Sequence, residues 1–150
     1  MPYESLEDLR VYQEAVAIAE EIWDEVVKWK PFDKEVVGKQ LVDAADSISA
    51  NIAESYGRTG TRDIVHFLIY ARGSMYETKD RLRKAIRRHL IGPEHGQALL
   101  KRLENLAPAL NAYITAKRKA LLERPKIQQP NHQQPNHQQP NHQQPNYPTT

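Results

Sequence analysis

The sequence has no cysteine. Disulfides, thiolate-held zinc and a thiol nucleophile are therefore excluded, and the chain suits a reducing compartment. It has no apolar run near the roughly 20 residues that span a bilayer, and its mean hydropathy is −0.74. The opening Met1-Pro2-Tyr3-Glu4-Ser5 lacks the basic start and apolar stretch of a secretory signal. A soluble, cytoplasmic protein that does not bind membranes is expected. There is no P-loop and no glycine-rich nucleotide turn. Asp63-x-x-His66 comes near the Glu-x-x-His motif of di-iron bundles, but it has no second copy. Ser74 has no His–Asp companion pattern, and His66, His89 and His95 read as ordinary surface or interface residues. No catalytic residue, metal or cofactor is expected, and the chain is not expected to be an enzyme. No segment alternates apolar and polar residues over a useful strand length.

What is present is helical periodicity, in a chain of 150 residues that suits one domain. A compositional boundary falls near Pro125. Residues 1–125 form the candidate domain and 126–150 a tail. The tail repeats Gln-Gln-Pro-Asn-His from Gln128, Gln133 and Gln138, with a fourth copy ending in Tyr147. From Ile127 onward it has no Lys, Arg, Asp or Glu. A proline every fifth residue breaks helices, and so few apolar groups cannot offset the entropy of ordering. An extended, disordered tail is expected. Its evenly spaced His132, His137 and His142 fit a weak metal site, or more simply a repeat expansion.

Four helices account for the rest. In the first, Leu9, Tyr12, Val16, Ala19, Trp23 and Val26 step by three and four, one face of a helix. Ala15, Ile18 and Ile22 widen that face. Ser5 with Asp8 offers a start signal of capping-box type, and the helix should stop near Lys30, before Pro31. The second is expected from about Asp33, with Val37, Leu41, Ala44, Ile48 and Ile52 buried and Gly57 in the left-handed position past its end. Thr61 should cap the third. Its stripe is Ile64, Leu68, Ala71, Met75, Thr78, Leu82, Ala85 and His89, and Ile91-Gly92-Pro93 should end it. The fourth begins near Pro93, carries Leu99, Leu103, Leu106, Leu110 and Tyr113, and should kink at Pro108. An all-α, antiparallel up-down-up-down four-helix bundle follows.

The net charge of +2 hides a split. Residues 1–55 hold 13 acids and 5 bases, residues 56–150 hold 6 acids and 16 bases. Lys79, Arg81, Arg83, Lys84, Arg87 and Arg88 crowd the third helix. Lys79, Arg83 and Arg87 share a face at i, i+4 spacing, Lys84 and Arg88 extend it, and Arg72 lies one to two turns earlier. Like charges so placed weaken a helix by a few tenths of a kcal/mol each, which points to a polyanionic partner such as a phosphate backbone. The alternative is a face neutralised by Glu20, Glu21, Asp24 and Glu25 of the first helix.

Gln40-Leu41 and the run Asp43-Ala44-Ala45-Asp46-Ser47-Ile48-Ser49-Ala50-Asn51-Ile52-Ala53-Glu54-Ser55-Tyr56-Gly57-Arg58 resemble the signature of the four helix bundle protein family, also called the 23S rRNA intervening-sequence protein or S23 family. Phe67-Leu68, Ala71-Arg72-Gly73-Ser74 and Glu77 resemble its second block. Leu6-Glu7-Asp8-Leu9, Val11-Tyr12-Gln13 and Ala15 look like its start. The resemblance covers residues 5 to about 120. Ser55 stands where the family often has glycine, and the tail has no counterpart in it. The resemblance implies a four-helix bundle assembling into a homopentamer, no enzymatic activity, and a supposed ribosomal or RNA-associated role. A related bundle assists the reverse transcriptase of diversity-generating retroelements. Asn51, expected to bond across to the third helix near Ser74 or Glu77, and the Glu54–Arg58 pair read as fixing helix register and subunit contacts, or else as a ligand site. Gly73-Ser74 inside a helix costs about 1 kcal/mol relative to alanine, and close helix packing would explain it. The reading that results is a non-enzymatic oligomer binding RNA or a ribonucleoprotein through the basic stripe. The alternative is a protein-binding adaptor, for example to a reverse transcriptase.

Overall fold

The computed structural model describes residues 5–123. The repeat tail and its histidines lie outside the described residues. The chain opens on a 3-10 turn, Leu6–Asp8, in which the Ser5 backbone N–H and hydroxyl both donate to the Asp8 carboxylate, at 3.1 and 2.9 Å. The expected start signal therefore ties down this turn, and α1 begins just after it, Arg10–Val26. A short α2, Pro31–Asp33, runs without a break through a π-helical turn, Lys34–Gly38, into α3, Lys39–Tyr56. Two long helices follow, α4, Thr61–Arg87, and α5, Pro93–Leu122. The second helical rod starts at Pro31 and not at Asp33, because a proline at the first helical position sacrifices no hydrogen bond.

Helix α1 packs on α3, α3 on α4, α4 on α5 and α5 back on α1. Residue numbers rise on one helix as they fall on the next. Gly38 lies against Val26, Gln40 meets Arg81, Arg83 faces Glu104 while Arg72 faces Asn111, and His95 meets Glu25 while Arg102 meets Glu14. Neighbours therefore run in opposite directions, as short connections between consecutive helices require.

The core contains the expected stripe of each helix, with one shift of phase. In α1 the buried set is Ala15, Ile18, Ala19, Ile22 and Val26, with Trp29 just beyond. Trp23 is 53% exposed, and Tyr12 and Val16 are half-buried. Ala19 and Val26 belong to both stripes, so periodicity alone does not choose between them. Contact with α3 on one side and α5 on the other selects the alanines and isoleucines. In α3, Leu41, Ala44, Ile48 and Ile52 are buried as expected, and Val37 is half-buried. In α4, Leu68, Ala71, Met75, Thr78, Leu82 and Ala85 are buried, with Val65 inside in place of Ile64. In α5, Leu99, Leu103, Leu106 and Leu110 are buried, and Ile114 replaces the half-buried Tyr113 at the end of the stripe. The helix continues through Pro108, on its exposed side.

The helix ends depart from expectation. Gly57 has φ −74°, so it is not left-handed. That conformation falls to His89, with φ 57°. The Leu90 N–H bonds to the Ala85 carbonyl and the His89 N–H to that of Ile86, both at 3.0 Å, the pair of bonds that closes a Schellman motif. Helix α4 therefore stops at Arg87, and His89 is exposed and off the stripe. Thr61 is not the cap of α4. Gly60 holds that place, and Thr61 is a buried first-turn residue.

Gly38 is needed for close approach. A Cβ there would sit 2.5 Å from Val26 Cγ1, so the π turn can press on the end of α1 only without a side chain.

Candidate nucleic-acid interface

The outward side of α4 changes along its length. Rings lie from His66 to Tyr76: His66 and Tyr70 are 4.5 Å apart, Phe67 meets Tyr70 edge-on at 6.0 Å, and Tyr70 and Tyr76 are 50% and 56% exposed. Arg58, at the end of α3, lies 4.8 Å over the Phe67 ring and is paired with Glu54. The cations of α4 begin at Arg72, within the stretch that bears the rings, and crowd toward the C-terminal end. Helical spacing splits these into two rows. Arg72 and Arg83 lean toward α5, 3.4 Å from Asn111 and 3.8 Å from Glu104. Arg81, Lys84 and Arg88 lean toward α3, around Val36, Val37 and Gln40. Arg87 is exposed, and neither it nor Arg88 has an ion pair among the described residues. Lys79 is half-buried, its ammonium 5.4 Å from the Tyr76 ring.

Two of the four acids expected to neutralise this face, Glu21 and Glu25, are engaged elsewhere, and Glu20 and Asp24 have no ion pair among the described residues. Glu14 and Glu21 of α1 hold Arg102 of α5, at 2.7 and 2.8 Å. Glu25 lies 3.4 Å from His95 and 3.7 Å from Lys28. The bond from Glu14, aided by that from Glu21, raises the pKa of Arg102 further above its ordinary value. Apart from Glu104 of α5, 3.8 Å from Arg83, what opposes the α4 cations is local. Asp80 accepts from Lys84 at 2.6 Å and Glu77 from Arg81 at 2.6 and 3.0 Å. The Lys84 bond, with the nearby charges of Lys84, Arg81 and Arg83, keeps the Asp80 carboxyl below its usual range. Exposed pairs of this kind, screened by solvent, add little to stability.

The motif residues read differently in three dimensions. The Glu54–Arg58 pair is present. Asn51 does not bond across to α4. Its amide donates to the Ser47 carbonyl one turn back, at 2.7 Å. Half-buried side chains that bond their own helix in this way satisfy themselves without a partner strand or helix. Ser55 does the same with Ile52, at 2.6 Å. Ser74 is half-buried, and its carbonyl accepts from Thr78. Gly73 is exposed, and a Cβ there would meet nothing within 4 Å. Packing inside the chain therefore does not explain it. Gln40 is the residue whose place the sequence hid: it was legible only as part of a motif, and it accepts a hydrogen bond from Arg81 across the α3–α4 seam.

Residues 7–112 match the family described as 23S rRNA-intervening sequence protein. The fold is similar to the crystal structure of a protein with unknown function from the S23 ribosomal protein family of Bacteroides thetaiotaomicron. The identity is 24%, the TM-score is 0.63, and the match covers 69% of this chain and 97% of that one. No curated protein matches the chain.

Proposed function

The chain belongs to the 23S rRNA-intervening sequence protein family, and from that premise we propose that it binds RNA or a ribonucleoprotein through the outward side of α4, without catalysing a reaction. The observation that carries this reading is where the acids of α1 go. Glu14, Glu21 and Glu25 are engaged by α5, while on α4 Arg83 has Glu104 of α5 at 3.8 Å, Lys84 has Asp80 one turn back, and Arg87 and Arg88 have no ion pair among the described residues. A row of cations beside exposed rings is the chemistry that single-stranded or structured RNA uses, phosphates on one and bases on the other. Self-association, as a homopentamer, would repeat the row around a ring and deepen its potential. No helix among the described residues is long and apolar enough to cross a membrane, which fits a partner in solution.

The second reading is a protein-binding adaptor, for instance to a reverse transcriptase. The aromatic stretch of α4 favours it. Tyr70, Gly73 and Tyr76 present rings around a position with no side chain, where another backbone has room to approach. An electrophoretic shift of the purified protein against structured RNA, at about 50 and 200 mM salt, separates the two. Retention that collapses at the higher salt supports phosphate contacts. No shift at either salt rejects RNA binding and leaves the adaptor.

A further inference from the structure

A cleft of about 120 Å³ opens where the π turn faces the end of α4, lined by Val36, Val37, Gln40, Arg81, Lys84 and Arg88. Three of its six lining residues are cations and none is an acid. Volume and donors both bear on what it would accept. A cleft of this size has room for a tetrahedral oxyanion and several waters.

The donors are positioned and not yet used. Arg81 has five N–H groups. Two are committed to Glu77 and one to Gln40, which fixes the guanidinium and leaves two N–H groups. Lys84 gives one of its three to Asp80. The Gln40 amide accepts from Arg81, and its NH₂ has no partner among the described residues. Arg88 stands just past the helix end without an ion pair among the described residues. The nearby acids are already matched: Glu77 to Arg81, Asp80 to Lys84 and Asp43 to Lys39.

We infer that this cleft binds the terminal phosphate of a nucleic-acid strand. A phosphodiester inside a strand carries one charge and two unesterified oxygens. A terminal monoester carries close to two charges near neutral pH and three such oxygens. Glu77 and Asp80 offset two of the three charges, so the match lies in the donors: the unpaired Arg88 and the unused N–H groups of Arg81, Lys84 and Gln40 are enough for the three oxygens of a monoester, and Val36 and Val37 close the cleft on the side away from them. A purely structural role exists for the same cations, since Lys84 and Arg88 lie at the carbonyl end of α4, where positive charge offsets the helix dipole. The cleft is distinct from Arg83 and Arg87. Naming nucleic acid as the source rests on the RNA-binding reading above.

The experiment compares one RNA oligonucleotide carrying a 5′-phosphate, a 3′-phosphate or only hydroxyl ends. A terminal phosphate at one end or the other should tighten binding about tenfold, as charge-assisted hydrogen bonds do. Val36→Asp puts an acid at the cleft without touching a cation or the helix end, and it should erase the preference. Arg88→Gln should reduce it to less than about threefold. Arg83→Gln should weaken all three oligonucleotides alike and keep the preference. Circular dichroism establishes that each variant is folded. Inorganic phosphate, followed by the thermal transition, is the arm independent of RNA. A rise in Tm in the parent protein that is absent in Val36→Asp supports the cleft even if no RNA binds, in which case the RNA-binding reading fails and free phosphate is the source. Equal binding of the three oligonucleotides, or a preference that survives Val36→Asp, overturns the inference. So does the absence of any response to RNA and to inorganic phosphate alike.

Discussion

The seam between α1 and α5 and the outward side of α4 are both crowded with charge. In the seam, acids from one helix meet cations from the other. Arg102 bridges Glu14 and Glu21, and His95 lies against Glu21 and Glu25. On α4 the cations meet each other, and apart from Glu104 of α5, 3.8 Å from Arg83, their acids come from one turn away on the same helix. The acids of the first half of the chain and the bases of the second were both available to cancel. They cancel only where two helices are neighbours. Helix α4 lies diagonally across the bundle from α1 and shares no substantial contact with it, so the acids of α1 do not reach its cations. Complementary composition is thus not complementary placement.

The contrast makes four expectations. The largest concerns the unneutralised side. Replacing Arg83 and Arg87 together by glutamate should weaken binding to structured RNA by about a hundredfold at low salt, with a shallower salt slope, because phosphate contacts are lost and repulsion is added. The melting curve should hardly move. Unchanged affinity in an electrophoretic shift would mean that RNA, if it binds, does so elsewhere.

Next comes the matched side. Arg102→Gln should cost up to about 1 kcal/mol in urea unfolding, since the pairs are partly exposed and screened, and it should leave RNA retention alone. The loss should shrink as salt is raised. A variant that instead loses RNA binding would place phosphate contacts in the seam.

Gly73→Ala should stabilise the isolated chain by about 0.8 kcal/mol, because the added methyl meets nothing and the unfolded state loses freedom. If Gly73 serves a subunit or partner contact, the same methyl should weaken assembly, measured by analytical ultracentrifugation. Gains in both stability and assembly would remove any reason to assign Gly73 to a contact.

The smallest effect involves Asp46. Partial burial, then the charges of Glu20 and Asp43, raises its carboxyl pKa above the ordinary 3.8. An acid whose pKa rises on folding binds its proton more tightly when folded. Its charge therefore opposes folding once the pH passes 3.8 and climbs through the raised value, and it has no effect below both. Asp46→Asn should stabilise the protein at pH 7 by about 0.3 kcal/mol after solvent screening, and not at all near pH 3. Equal stabilisation at both pH values in thermal melts would show that the carboxylate charge is not the cause.

Much of the fold was legible because it is local. The stripes of α3, α4 and α5 follow from spacings that any helix must respect, and the buried Leu41, Ile48, Leu68, Met75, Leu82, Leu99 and Leu103 were named from them. The stripe of α1 was not fully legible. Two sets of residues about one position apart satisfy the same period, and both contain Ala19 and Val26. The helix ends are less legible for a related reason. Glycine can adopt the left-handed conformation but is not compelled to, so Gly57 stays right-handed while His89 is driven left-handed by the two Schellman bonds. At the site, the cations of α4 and the Glu54–Arg58 pair could be named in advance. The inward turn of Asn51 to Ser47, the open surroundings of Gly73 and the role of Gln40 could not, because each depends on what stands opposite.

Composition and period therefore determined an all-helical chain, a basic α4 and the absence of thiol chemistry, because these are properties of single residues and of neighbours three and four apart. Which face of α1 turns inward, which acids meet which cations, and whether a cleft forms between the π turn and α4 were decided only when the helices came together. Those outcomes depend on distances between residues tens of positions apart, and Gln40 reaches Arg81 only because α3 and α4 pack side by side.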